Sequence, residues 1–182
     1  MPQNDNDGNI SSKTVRVWDA WVRSIHWLLV IAILVAYCTP DGLLAWHKAS
    51  GYLMLVLVML RVAWGFVGTR HARFADFVLR PGNLARYVRL LLTGREPRYV
   101  GHNPAGAAMI LLLLTLLLAI GVTGWLITLP AWRDDRPLQE AHGLLSDVVM
   151  LAAAFHVAGV MYASVRHREN LIWAMITGRK RA

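Results

Sequence analysis

Four stretches of this 182-residue chain are each close to twenty residues long and nearly free of charge. One contains "MILLLLTLLLAIGVTGWLITL", another "GYLMLVLVML". Crossing a hydrocarbon core of ~30 Å takes about 20 residues of α-helix. In lipid, a lone segment satisfies its own backbone polar groups only as a helix. The spans fall at about residues 22–38, 46–67, 105–129 and 140–165. The first stops at "TPDG", where Pro40 and Gly42 end a helix, and the second closes with "WGFVG". The third opens at "HNP", with Asn103 as cap and Pro104 in the first turn. The first run is short unless residues 18–21 form its interfacial end. With 56% of residues hydrophobic and 16% charged, the chain is too apolar for a water-soluble domain of this size. The expectation is an all-α fold, a membrane four-helix bundle forming one domain over residues 15–182.

Charge sets the topology. Of the 19 lysines and arginines, three lie in the N-terminal arm through Arg23, eight in residues 61–98 and five from Arg166 onward. Only Lys48, Arg133 and Arg136 fall on the opposite side. Sixteen against three places both termini and the long connection in the cytoplasm. The net charge of +8 therefore reports membrane orientation, and no nucleic-acid partner is needed to explain it. Within the long connection, "GNLARYVRLLLTGR" puts Leu84, Tyr87, Val88, Leu91 and Leu92 on one face. That predicts a short amphipathic helix on the membrane surface, ending near Gly94. The tail "ENLIWAMITGRKR" has a similar form. Residues 1–14 are polar with no apolar core, which reads as a disordered tail and not a cleaved signal peptide. The single cysteine, Cys38, excludes an internal disulfide and the Cys-x-x-Cys-His attachment of a c-type haem.

Histidines then stand out at defined heights. His142 and His156 are fourteen residues apart in the last span, ~21 Å along a helix and nearly on one face. With the topology above, His26 lies near the cytoplasmic face, level with His156. His47 opens the second span near the outer face, level with His142. One reading of His142 and His156 is an interfacial and a hydrogen-bonded core residue. The other is two metal sites, because ionisable groups at membrane depth mark function. Imidazole ligates haem iron, zinc, copper and nickel. A metal transporter calls for carboxylates or thiols nearby, yet Asp147 is the only acid inside the fourth span and Cys38 the only thiol. Haem suits the surroundings better, with Gly51, Gly143, Ser146, Ala153 and Gly159 leaving room beside the histidines. Small residues are also common in membrane helix packing. The "GVTG" of the third span reads as a helix contact. Arg61, fourteen residues after His47, falls at the cytoplasmic level. Its two readings are a haem propionate partner and a side chain snorkelling to the interface. His71, His102 and His167 sit among arginines and read as solvated or interfacial. Trp27 and Trp125 lie away from the aromatic belts, in position to pack on a ring.

The order and spacing of several motifs carry a resemblance. They are "RSIHW" around His26, "WHKASGYLML" with "RVAWGF" around His47 and Arg61, "RYVGHNPAGAAM" before the third span, and "EAHG" with "FHVAGV" around His142 and His156. The chain resembles the bacterial cytochrome b561 and nickel-iron hydrogenase b-type cytochrome family over nearly its whole length after Lys13. The resemblance implies a bacterial inner-membrane protein holding two haem b groups, with His26, His47, His142 and His156 as axial ligands. It implies transmembrane electron transfer between quinone or quinol and an outer-face redox protein, a hydrogenase or a c-type cytochrome. The chain is then an electron-transfer subunit rather than a stand-alone enzyme. A self-contained oxidoreductase passing electrons from superoxide to quinone is the alternative.

Overall fold

The computed structural model describes residues 14–76 and 81–182; the N-terminal tail expected at residues 1–14 lies, but for Thr14, outside them. Four helices are long and apolar enough to cross a membrane: α1 (Ala20–Cys38), α2 (Leu44–Val67), α4 (Pro104–Thr128) and α5 (Arg136–Arg166). Between and after them come the short helices α3 (Pro81–Leu92) and α6 (Leu171–Thr177). The first span is longer than its apolar run because Asp19 caps it, its carboxylate accepting from Val22 N–H at 2.8 Å. The fourth begins earlier than expected for the same reason, with Asp135 accepting from Leu138 N–H at 2.8 Å and Pro137 in the first turn. Asn103 and Pro104 start α4 as their residue types predict.

The helices pack in the order α1 on α2, α2 on α4, and α4 on α5. Ile25, Leu29, Ala32, Met54, Leu57, Val58, Leu117 and Val149 form the apolar core between them. Outward faces carry Leu34, Phe66, Leu112, Leu144, Leu151 and Phe155, all exposed, as lipid-facing positions should be. Among the described residues α1 and α5 make no comparably close backbone packing. They instead face each other across side chains.

The first and last described segments and the described part of the long connection meet at one end, which holds fourteen of the described basic residues. There the structure contains something the apolar pattern did not announce: a two-stranded antiparallel ribbon. β1 (Thr14–Arg16) pairs with β2 (Arg179–Arg181) in the register Val15 to Lys180. Gly178 makes the turn out of α6 at φ 79°, a left-handed conformation that favours glycine. Its carbonyl accepts from the N–H groups of Val17 and Trp18 at 2.9 and 3.2 Å. Arg23 and Trp27 of α1 also donate to carbonyls of α6, at Ile176 and Met175. Ion pairs close the surround: Arg98 and Lys180 on Glu169 at 3.2 and 3.7 Å, and Arg166 on Glu96 at 3.1 Å. The chain's first and last described segments thus form a clasp joining α1 to α6. The second predicted surface helix, α6, belongs to this clasp. The first, α3, ends at Leu92, close to the Gly94 expected to stop it, whose φ is 65°.

Candidate functional site

At the end of the bundle away from the termini, His47 sits in the first turn of α2 and His142 in the second turn of α5. Their ring centroids are 6.2 Å apart with planes at 75°. Both rings are held by their Nδ1 atoms. His47 Nδ1 lies 2.9 Å from the Ala36 carbonyl, which only accepts, so Nδ1 carries the proton and Nε2 keeps its lone pair. His142 Nδ1 lies 3.0 Å from Thr123 Oγ1, whose own O–H donates to the Ile120 carbonyl at 3.0 Å. The threonine oxygen therefore accepts from Nδ1–H, and the His142 Nε2 lone pair is free as well. Gly124 makes space for this ring: a Cβ there would stand 2.9 Å from His142 Cε1. A cavity of about 320 Å³ opens beside the pair, bordered by Gly51, Tyr52, Gly121, Trp125 and Ser146.

The second pair lies toward the clasped end. His26 of α1 and His156 of α5 have ring centroids 6.4 Å apart at 54°. Trp27 meets the His26 ring edge-on at 5.1 Å. Here the imidazoles are less well tied, since His26 Nδ1 is buried with no hydrogen-bond partner.

The two separations have a simple chemical meaning. A metal held at about 2 Å by one nitrogen of each ring, with about 1 Å from each nitrogen to its ring centre, would allow the centroids to stand about 6 Å apart. Both pairs meet that spacing while making no hydrogen bond to each other. The glycine beside His142, the cavity beside the His47–His142 pair and the absence of close α1–α5 packing among the described residues fit a flat macrocycle held between the rings.

Arg61 does not reach solvent. It is 7% exposed, donates through Nη2 to the Ala72 carbonyl at 3.3 Å, and lies 5.6 Å from the Phe74 ring centre. Its buried Nη1 has no hydrogen-bond partner. The three loop histidines occupy separate positions. His102 packs on Trp18 at 4.5 Å, and burial first, then the charges of Arg61 and Lys180, push its imidazole down to about 3. His71 Nδ1 lies 3.7 Å from Asp76, and His167 terminates α5. Trp27 stands edge-on to His26, and Trp125 borders the cavity beside His47 and His142. The "GVTG" stretch does more than expected. Gly121 is a helix contact against Met54 and Leu55, whereas Thr123 and Gly124 shape the His142 site.

Four membrane helices with imidazoles opposed across the bundle define a class, the multi-pass membrane cytochromes of b type. Comparison with known proteins narrows it. The sequence model of prokaryotic cytochrome b561 matches residues 17–178, and the chain belongs to that family. Its cofactor is therefore b-type haem and its work is membrane electron transfer. The chain is 25% identical to a probable Ni/Fe-hydrogenase B-type cytochrome subunit of Rhizobium leguminosarum bv. viciae, over 94% of its own length and 90% of the relative's. It is 24% identical to a protein of the same name from Rhodobacter capsulatus, over 92% and 81% of the two chains. No solved structure matches the chain.

Proposed function

We propose that the protein carries electrons through two b haems, one held by His26 and His156 and one by His47 and His142. The observation that carries this is the repeated centroid spacing, 6.4 and 6.2 Å, in two pairs that lie ~21 Å apart along α5. When bound, haem held by both histidines of a pair would supply one-electron chemistry. The protein's part is to hold and tune. Ala36 and Thr123 fix the imidazoles of His47 and His142 through Nδ1 and leave Nε2 available to a haem iron. Arg61 offers its unpaired Nη1–H groups to a propionate at the inner level. Core residues such as Val58 and Leu117 exclude water between the two levels.

In this reading both termini are cytoplasmic, and electrons pass between quinone in the membrane and a redox protein at the outer face. The relatives are named as subunits of Ni/Fe-hydrogenases, which supports a hydrogenase as that partner. Haem quantification on the purified protein tests the core of the proposal. Two non-covalent, low-spin haems per chain, reducible by a quinol analogue, are expected. One haem per chain would leave one histidine pair without a role. Quinone-linked turnover with superoxide and no protein partner would replace the subunit reading by a self-contained oxidoreductase.

A further inference from the structure

Asp147 is in an improbable place for a carboxylate. It lies five residues beyond His142 on α5, ~7.5 Å deeper along the helix. His142 is itself bonded by Thr123, another ~7.5 Å in from the end of α4 at Thr128. Asp147 thus stands ~15 Å below the end of a helix ~37 Å long, well inside a hydrocarbon layer of ~30 Å. Its side chain is exposed, and among the described residues no hydrogen bond or ion pair reaches it. An aspartate is too short to snorkel to the surface from that depth. Nor does it face the haem side. At ~100° per residue it is rotated ~160° from the line joining His142 and His156, on the outer surface of the bundle.

That surface has a definite shape. Gly143, Asp147, Ala154, Ala158, Met161 and Val165 recur every three to seven residues along one stripe, and all are exposed, so Gly143 faces away from the histidines beside which it was expected to leave room. Small residues let a second helix approach closely in lipid. The stripe alone would mean little, but it contains a charge that lipid cannot satisfy. An ionised group at this depth calls for a partner.

We propose that this stripe of α5 is the docking seam for a single membrane-crossing helix of another polypeptide, which presents a lysine or arginine to Asp147. A second copy of this chain is the wrong occupant. Twofold packing along the seam would set carboxylate against carboxylate in a medium of low dielectric. The inference rests on the membrane placement of α5 and not on the haem assignment, since the seam and the histidines lie on opposite sides of the helix.

The test places the charge on a probe. Full-length protein, labelled with a donor dye at its only cysteine, the exposed Cys38, is reconstituted in phosphatidylcholine vesicles. Acceptor-labelled leucine–alanine peptides of single-span length are added, with lysine, leucine or glutamate at the depth of Asp147. Energy transfer should show the lysine peptide associating about tenfold more tightly than the leucine peptide, about 1.4 kcal/mol. The glutamate peptide should bind no better than leucine. Asp147→Asn should erase the lysine preference, and Ala158→Leu should weaken the lysine peptide by closing the seam. Equal association of lysine and leucine peptides with the unaltered chain would overturn the proposal. So would transfer between two labelled copies of the chain that the lysine peptide fails to compete away.

Discussion

At the scale of single residues, hydrogen bonding separates the two histidine pairs. Thr123 was not legible as a site residue, because threonine in an apolar helix most often bonds back to its own backbone, as this one does to Ile120. Only the fold shows that its oxygen also accepts from His142. Thr123→Val removes that acceptor and weakens the electron donation of the His142 ring to a bound haem iron. Outer haem affinity should fall about 10–100-fold, and the outer potential should rise while the inner stays put. Spectral titration of apoprotein with haem, and a redox titration, read the two effects. Arg61→Leu should act at the other level. A positive charge favours the more negative reduced state, so its loss should lower the inner potential and leave the outer nearly unchanged. If neither potential moves, Arg61 only anchors the loop through Ala72. The opposition of His26 with His156 and of His47 with His142, by contrast, was legible, because the charge asymmetry sets the direction of each span and a helix of known rise converts residue number into depth.

At the scale of elements, the four spans could be read from their apolar runs to within a few residues, since lipid leaves a helix as the only choice. The terminal clasp could not. Three-residue strands rich in arginine carry no alternation, and their pairing is fixed by contacts distant in sequence. Gly178 is its hinge: a Cβ there would meet the Trp18 carbonyl at 2.5 Å, on backbone already at φ 79°. Gly178→Ala should destabilise the clasp by about 1–3 kcal/mol. Hydrogen exchange at the Val17 and Trp18 amides, which bond the Gly178 carbonyl, should accelerate while core amides of α2 remain protected. The clasp should also respond to acid. Burial tends to raise the Glu169 pKa, but hydrogen bonds from Arg98 and the Arg181 amide, with the Lys180 and Arg98 charges, hold it below its ordinary 4.5. A carboxylate depressed in the folded state contributes stability that is complete above pH 4.5 and lost as pH falls through the lowered value. Exchange from β2 should therefore quicken in that acid window. Glu169→Gln should show fast exchange at neutral pH and no such transition.

For the molecule as a whole, the prediction concerns pairing. Removing either member of a pair should damage the same haem, so His47→Ala and His142→Ala should share one spectral defect. His26→Ala and His156→Ala should share another. A match between His47→Ala and His156→Ala would refute the assignment by depth. Orientation is checked separately by a membrane-impermeant maleimide on intact cells, which should label Cys38 and not an introduced Arg181→Cys in a Cys38→Ser background. The clasp has one more consequence, for how the protein is made. β2 is the last described segment to leave the ribosome, and β1, its partner, is the first. Until β2 emerges the clasp is incomplete, and α1 is left to meet α6 through Arg23 and Trp27. The outer pair lacks that dependence, because its supports, Ala36 and Thr123, are both made before α5. On the two-haem reading maturation should thus run in one order, with the haem at His47 and His142 loaded first and the His26–His156 site sealed only when β2 pairs with β1.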